Sequence, residues 1–283
     1  MMPVIDSHTH MFPDRIAAKA VASLSETSHT LAFTDGTEAG LLASSKRAGI
    51  HLSIVLPVAT RPQQVKKIND KMALLKKEHA GRGLSALACM HPGLEDPEEE
   101  LERIAAMGFA GFKIHPVFHH TDVDDPSYLR MFRKAKDLKL IIVTHAGRDI
   151  GFPEEDRCSP LKLRRAVDLS GYNGFVMAHM GGWGEWETVG EMLADTGVYL
   201  DTAFTLGVVP AKDEKYRGCR MCSQEQFLAI VHSFGAERIL FGSDSPWYDQ
   251  QKSLQQLLEL PLDEDTQKLI LYKNACRLFG IGS

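Results

Sequence analysis

At 283 residues the chain is long for one ordinary domain, normal for an α/β barrel, and able to bury a large core. Its 44% hydrophobic and 24% charged residues are an average globular balance, and a net charge of -5 with an isoelectric point near 6.2 leaves no basic footprint for nucleic acid. No apolar run approaches the roughly 20 residues of a membrane span, and the opening Met-Met-Pro-Val-Ile-Asp lacks the basic and apolar regions of a secretory signal, so a cytoplasmic protein with no membrane partner is expected.

Strand-like runs alternate with helical stretches from end to end. Strands are predicted over 4–8, 52–57, 84–90, 111–115, 140–145, 174–179, 198–201 and 239–242. Most are continuous apolar runs, as expected of strands buried on both faces in a parallel sheet. Between them, Val65, Ile68, Met72 and Leu75 give one helix its apolar stripe. Asp96-Pro97, Asp125-Pro126 and Ser159-Pro160 each combine a capping residue with proline at the first helical position, and Ser223 to Gln226 forms a capping box. Eight strands with intervening helices predict a (β/α)₈ barrel of one domain over residues 1–283. No Gly-x-Gly-x-x-Gly follows an early strand, which disfavours a doubly wound sheet. Residues 26–40 and 203–222 read as insertions at strand ends, placed to lie over an active-site mouth.

Barrel active sites sit at the C-terminal ends of the strands, and the chemically capable residues gather there. His8 and His10 close the first strand two residues apart, so an extended backbone aims both imidazoles at one point, as a metal ion requires. Lys113 and His115 close the fourth strand, His145 the fifth and His179 the sixth, and Asp244 follows the eighth. Closure of a barrel sets its first and last strands side by side.

Taken in order, Ile-Asp6-Ser-His8-Thr-His10, Gly-Phe-Lys113-Ile-His115-Pro, Thr-His145-Ala-Gly, Ala-His179-Met-Gly-Gly, Leu-Phe-Gly-Ser-Asp244-Ser-Pro-Trp247 and Asn274-Ala-Cys-Arg-Leu-Phe-Gly resemble the metal-dependent amidohydrolase superfamily. Within it they are similar to the amidohydrolase-related branch, which holds both hydrolases and non-oxidative decarboxylases like aminocarboxymuconate-semialdehyde decarboxylase. The resemblance runs nearly the whole length. It implies a divalent metal bound by His8, His10 and Asp244, with His145 as an additional ligand. His179 is implied as a second-metal ligand or as a proton shuttle. Imidazole with carboxylate suits Zn²⁺ first, and Mn²⁺ and Fe²⁺ also. One ion is expected rather than two.

A bound cation would lower the pKa of its water to around 7. Asp244 would then accept that water's proton and pass it to a leaving group, and His179 would polarise a carbonyl. Asp6, on the face of His8 and His10, is expected to orient one imidazole. Lys113 either becomes carbamylated and bridges two metals, as in binuclear relatives, or stays cationic and holds a substrate carboxylate, the reading favoured here. His115 and Arg148 are candidate substrate contacts, and Trp183 and Trp247 a candidate aromatic wall for a flat molecule.

The leading expectation is therefore a hydrolase of a small, polar, anionic substrate, cleaving an amide, ester, lactone or related bond. Decarboxylation of an unsaturated or aromatic acid is the alternative, and a non-catalytic metal- or ligand-binding barrel the remote one. A homodimer is a family-level expectation only. Cys89, Cys158, Cys219, Cys222 and Cys276 form an odd, scattered set that suits a reducing compartment, and Cys219-x-x-Cys222, with no second pair, reads as a loop entering a helix. Asp122, Asp124 and Asp125 read as a loop and helix cap, not a calcium site. His29, His51, His79, His119, His120 and His232 read as structural or solvated residues, and His91 as pocket wall or loop. Trp186 reads as helix packing.

Overall fold

A computed structural model describes residues 2–80, 82–214, 218 and 221–282. The apolar runs form eight parallel strands: β1 (Ile5–Thr9), β2 (Leu52–Val55), β3 (Gly83–Ala86, resuming as Ala88–Cys89), β4 (Gly111–Ile114), β5 (Ile141–Thr144), β6 (Phe175–Met177), β7 (Tyr199–Asp201) and β8 (Ile239–Leu240). Each pairs in parallel with the next, with Ile5 opposite Leu52, Cys89 opposite Lys113, Lys113 opposite Val143 and Asp201 opposite Leu240. The break at Leu87 divides β3 so that its first part pairs with β2 and its second with β4. Three hydrogen bonds join the end of the chain to its start: Ser7 N–H to Phe241 O (2.8 Å), Asp244 N–H to His8 O (2.8 Å) and His10 N–H to Ser245 O (2.6 Å). The ladder thus returns to β1, and all eight predicted strands are present in an α/β barrel.

Alternation along the strands separates two cores. Ile5, Ile54, Leu87, Val143, Val176 and Leu240 converge from six strands into the barrel interior. Residues of opposite parity, such as Phe112, Ile114 and Ile142, pack outward against the helices, meeting Phe132, Leu163 and Val189. Val143 lies in the interior and His145 is two residues on, so the same face that packs the barrel floor carries the histidine at its rim.

Helices α1 to α9 span Asp14–Ser28, Glu38–Ala48, Val65–His79, Pro97–Ala106, Pro126–Leu138, Pro160–Ser170, Trp186–Leu193, Gln224–Phe234 and Gln250–Leu258. The capping expectations divide. Asp125 accepts from Ser127 N and Ser223 forms its box with Gln226, but neither Asp96 nor Ser159 makes a side-chain cap. At those two starts proline holds the first turn without a side-chain cap. Asp122 pairs with Arg157 and Lys162, and Asp124 with Arg165, in keeping with the structural reading of that acidic loop. His119 is also structural: its Nε2–H donates to Ala59 O (2.9 Å) and its Nδ1 accepts from Tyr128 (2.5 Å).

The two insertions meet each other. Leu31 N–H donates to Pro210 O and Lys212 N–H to His29 O, so the segments after α1 and β7 form a strap. Cys219 lies outside the described residues; Cys222 is a buried free thiol. Among the described residues, no helix is long and apolar enough to cross a membrane.

The chain's end is tied in by Asn274, fully buried, whose Nδ2 donates to Ala236 O and Ile239 O at 2.7 Å each. Asn274→Ala takes the amide donor from Ile239 O and one of two donors from Ala236 O, which keeps the Ile239 N–H, and should lower unfolding free energy by about 2 kcal/mol. Urea denaturation checks this as a lower midpoint with an unchanged slope; an unchanged midpoint would mean that other donors replace the amide.

Candidate metal centre

The end of β1 presents His8 and His10 toward Asp244, which sits just past β8 with φ 68°. His8 Nε2 and His10 Nε2 are 3.2 Å apart, and Asp244 Oδ1 is 3.5 Å from the first and 3.1 Å from the second. Donors bonded to one ion at about 2.0–2.2 Å lie about 3.0–3.5 Å from each other. The three atoms therefore have the spacing of a ligand set. Gly242 is required beside them, since a Cβ there would stand 2.8 Å from His8 Cβ.

The ring protons can be placed by their partners. Carbonyl and carboxylate oxygens only accept, so His8 Nδ1 donates to Asp201 Oδ2 (2.8 Å) and His10 Nδ1 to Leu56 O (2.7 Å). By the same logic His179 Nδ1 donates to Ala203 O (2.8 Å) and His145 Nε2 to Arg148 O (3.1 Å). In the neutral ring each remaining nitrogen is a bare lone pair. Two such pairs face each other, His8 Nε2 with His10 Nε2, and His145 Nδ1 with His179 Nε2 at 3.1 Å. Close facing lone pairs repel unless a cation or proton lies between them. This donor set fits a divalent ion.

The electrostatics agree. Burial, reinforced by the Lys113 ammonium, pushes His8 down to about 4. Burial likewise drives His145 and His115 well below the ordinary histidine range and lowers His179. Burial works against charge on Asp244, but pairing with His10 and the nearby His8 and His179 rings outweigh it and keep the carboxyl well below the usual range. Neutral imidazoles beside an ionised carboxylate are what metal binding demands at pH 7.

An open cavity of about 830 Å³, its mouth included, lies above these groups. Lys113, His115, Arg148, Trp183 and Trp247 all line it, as do Phe118, Phe152 and Phe204 and the strap residues Thr27, Ser28 and Thr30. Lys113 is 1% exposed, and its ammonium makes no hydrogen bond or ion pair with any described residue. Burial pushes it down to about 8, with Asp201 and Asp244 acting in the other direction. Arg148 lines the cavity while its Nε pairs with Glu185 (3.3 Å), so one side chain serves both the cavity wall and a salt bridge. His91 lies against His119 with its ring tilted by 46°, away from the cavity wall, and Trp186 donates to the carbonyl of His179 (2.9 Å).

Asp6 does not orient an imidazole. Its carboxylate takes hydrogen bonds from His8 N, Ser243 N, Ser243 Oγ and Gln250 Nε2. That role falls to Asp201 at the end of β7, which sequence reasoning passed over although it, too, is a ligand-type residue closing a strand. Asp201 also accepts from the backbone N–H of His179 (3.0 Å) and of Ala203 (3.1 Å), fixing both sides of the centre. Asp149 was missed as well. His115, His145 and Asp149 form a second group of metal-capable side chains, but the only bare nitrogen of His145 faces His179, so these three are not a preformed cation site.

The sequence matches the family model described as Amidohydrolase over residues 5–281. No curated protein matches it. Among solved structures, it is similar to the 5-carboxyvanillate decarboxylase of Sphingomonas paucimobilis (16% identity, TM-score 0.72, 100% of both chains covered). It is also similar to a dihydroxybenzoic acid decarboxylase from Polaromonas with bound manganese (15%, 0.72, 99% of this chain and 98% of that one). A provisionally assigned 2-pyrone-4,6-dicarboxylic acid hydrolase from Pseudomonas putida aligns at 17% and 0.67, over 100% and 99%. At these identities the likeness is one of fold.

Asp201→Ala frees the ring of His8 and should weaken divalent-metal affinity about 10- to 100-fold. Competition with a chromophoric chelator measures it, and unchanged affinity would show that packing alone orients the ring.

Proposed function

Because the chain belongs to the amidohydrolase family, we propose that it is a metal-dependent enzyme that removes carbon dioxide from an aromatic or unsaturated carboxylic acid. The observation that carries this reading is Lys113: a buried, unpartnered ammonium facing an aromatic-walled cavity beside the candidate metal ligands. An ammonium turned into the cavity with no hydrogen-bond acceptor among the described residues favours an anionic ligand at that point. The solved decarboxylases of aromatic acids support the same reaction, which we favour over the hydrolysis expected from the sequence.

We assign His8, His10 and Asp244 as the ligands of one divalent cation, while His145, implied as an additional ligand, stands outside that close-set trio with its Nδ1 facing His179; manganese in solved relatives supports a divalent ion, and the donors suit Zn²⁺ equally. When bound, such an ion supplies Lewis acidity toward substrate oxygens. Lys113 pairs with the carboxylate and fixes the acid against Trp183, Phe204 and Trp247. His179, held at Nδ1 by Ala203 O, has only Nε2 on which to take up a proton; once protonated there it delivers that proton to the carbon whose bond to the leaving carbon dioxide breaks, and returns to the neutral ring. Asp244, through its oxygen not turned to the histidines, is the alternative proton carrier.

Carbon dioxide release from a panel of aromatic and enoic acids, set beside turnover of esters, lactones and amides, tests the reaction. Release should vanish with chelator, return with Mn²⁺ or Zn²⁺, and fall at least ~10³-fold in Asp244→Asn. Lactone or amide cleavage without carbon dioxide release would overturn the proposal.

Lys113→Met should raise KM for the acid about 30-fold, in line with losing a buried charge partner, while metal content stays at one ion per chain. It should also raise the thermal midpoint, because an unpaired buried charge is gone. In the parent enzyme the ammonium is present below about pH 8 and lost above it, so kcat/KM for the anionic acid should fall on that alkaline side. Metal lost along with the lysine would instead identify Lys113 as a ligand bridge.

A further inference from the structure

Two polar atoms of the cavity wall have no part in this chemistry. His115 at the end of β4 and Asp149 in the loop after β5 both line the cavity, with His115 Nε2 3.6 Å from Asp149 Oδ2. Neither is free to close that gap. The His115 ring is stacked between Phe118 (centroids 3.9 Å, 11°) and His145 (4.4 Å, 15°). The Phe118 N–H points at His115 Nδ1 (3.5 Å), which leaves the ring proton on Nε2. Asp149 is held through its other oxygen, which accepts from Gly151 N–H (2.8 Å). A donor and an acceptor therefore face each other at a separation beyond the roughly 2.7–3.2 Å of an N–H···O bond. A single oxygen about 2.8 Å from each spans the gap.

We propose that His115 and Asp149 form a hydroxyl-reading subsite, in which a substrate hydroxyl accepts from His115 Nε2–H and donates to Asp149 Oδ2. It rests on the reading of this cavity as one that binds a carboxylic acid. Only a group that both accepts and donates satisfies the pair. A second carboxylate meets the charge of Asp149, an ammonium meets the His115 N–H, and an ether or halogen has nothing to donate. Buried groups left unpaired make such a site reject the ligand that lacks the hydroxyl. Lys113 then fixes the acid end of the substrate and the His115–Asp149 pair its hydroxyl, giving a flat molecule two anchors and one orientation.

Binding to the metal-loaded protein tests this without turnover. The probes are 2-, 3- and 4-hydroxybenzoate, the three matching methoxybenzoates and benzoate, with dissociation constants from calorimetry. At one ring position the hydroxy acid should bind at least tenfold more tightly than its methoxy partner and than benzoate. In Asp149→Ala that preference should shrink to within about threefold, with metal content and benzoate affinity unchanged. Should the alanine variant not fold, the isosteric Asp149→Asn serves: a neutral amide should lose at least fivefold for the hydroxy ligand and nothing for benzoate. Equal affinities of hydroxy and methoxy acids at every position, or a preference that survives in both Asp149 variants, would overturn the subsite alone. If no acid binds, benzoate included, the acid-binding reading itself falls.

Discussion

The structure turns on the convergence of bare lone pairs. His8, His10, His145 and His179 each give their one ring proton to a fixed acceptor: Asp201, Leu56 O, Arg148 O and Ala203 O. Those acceptors come from segments spread across the chain. Electron-rich nitrogens held about 3 Å apart would separate in a flexible protein. A closed barrel does not let them, because each sits at the end of a strand locked to two neighbours. A donor set that fits a cation is thus built into the fold, through where the carbonyls and the Asp201 carboxylate point.

Holding that arrangement has costs elsewhere in the molecule. His179 and Asp244 both adopt left-handed backbone angles, φ 58° and 68°, in which side-chain-bearing residues are strained. Asp244 is held there by its N–H to His8 O, and the following turn by His10 N–H to Ser245 O. The same hydrogen bonds that return the ladder to β1 therefore also aim the carboxylate. Lys113 is a second cost, an ammonium in the interior with Phe112 and Ile114 packed on either side of it in sequence.

Much of this was legible in the sequence, because period-two alternation and strand-end position are local. His8 and His10 share a face for the same reason that Val143 and His145 do. What was not legible depends on contacts between distant segments. Asp6 has the parity of His8, which made it a candidate orienter, but β1 loses its regular register between Asp6 and Thr9, and Ser243 and Gln250 claim the carboxylate. Asp201 reaches His8 across 193 residues, and no spacing rule links β7 to β1. Asp149 looked like one more loop acid, since its role depends on a ring held by stacking. The caps at Asp96 and Ser159 failed for a related reason: residue type permits a cap, but the chain's approach to the helix decides whether the side chain reaches it.

The division between strands and loops also separates two kinds of conclusion. The groups that would hold an ion and move a proton, His8, His10, His145 and His179, stand at or within two residues of strand ends, where the ladder fixes them to within the tolerance such chemistry needs. Solved structures at 15–17% identity share this same fold. Arg148, Asp149, Trp183, Phe204 and Trp247 lie on connecting segments, and Thr30 of the strap lines the same cavity. Loops tolerate change that strands do not. The residues proposed to read the substrate are therefore free to be peculiar to this chain, and under that proposal selectivity rests on Lys113, which has no partner among the described residues, together with the His115–Asp149 pair on the cavity wall.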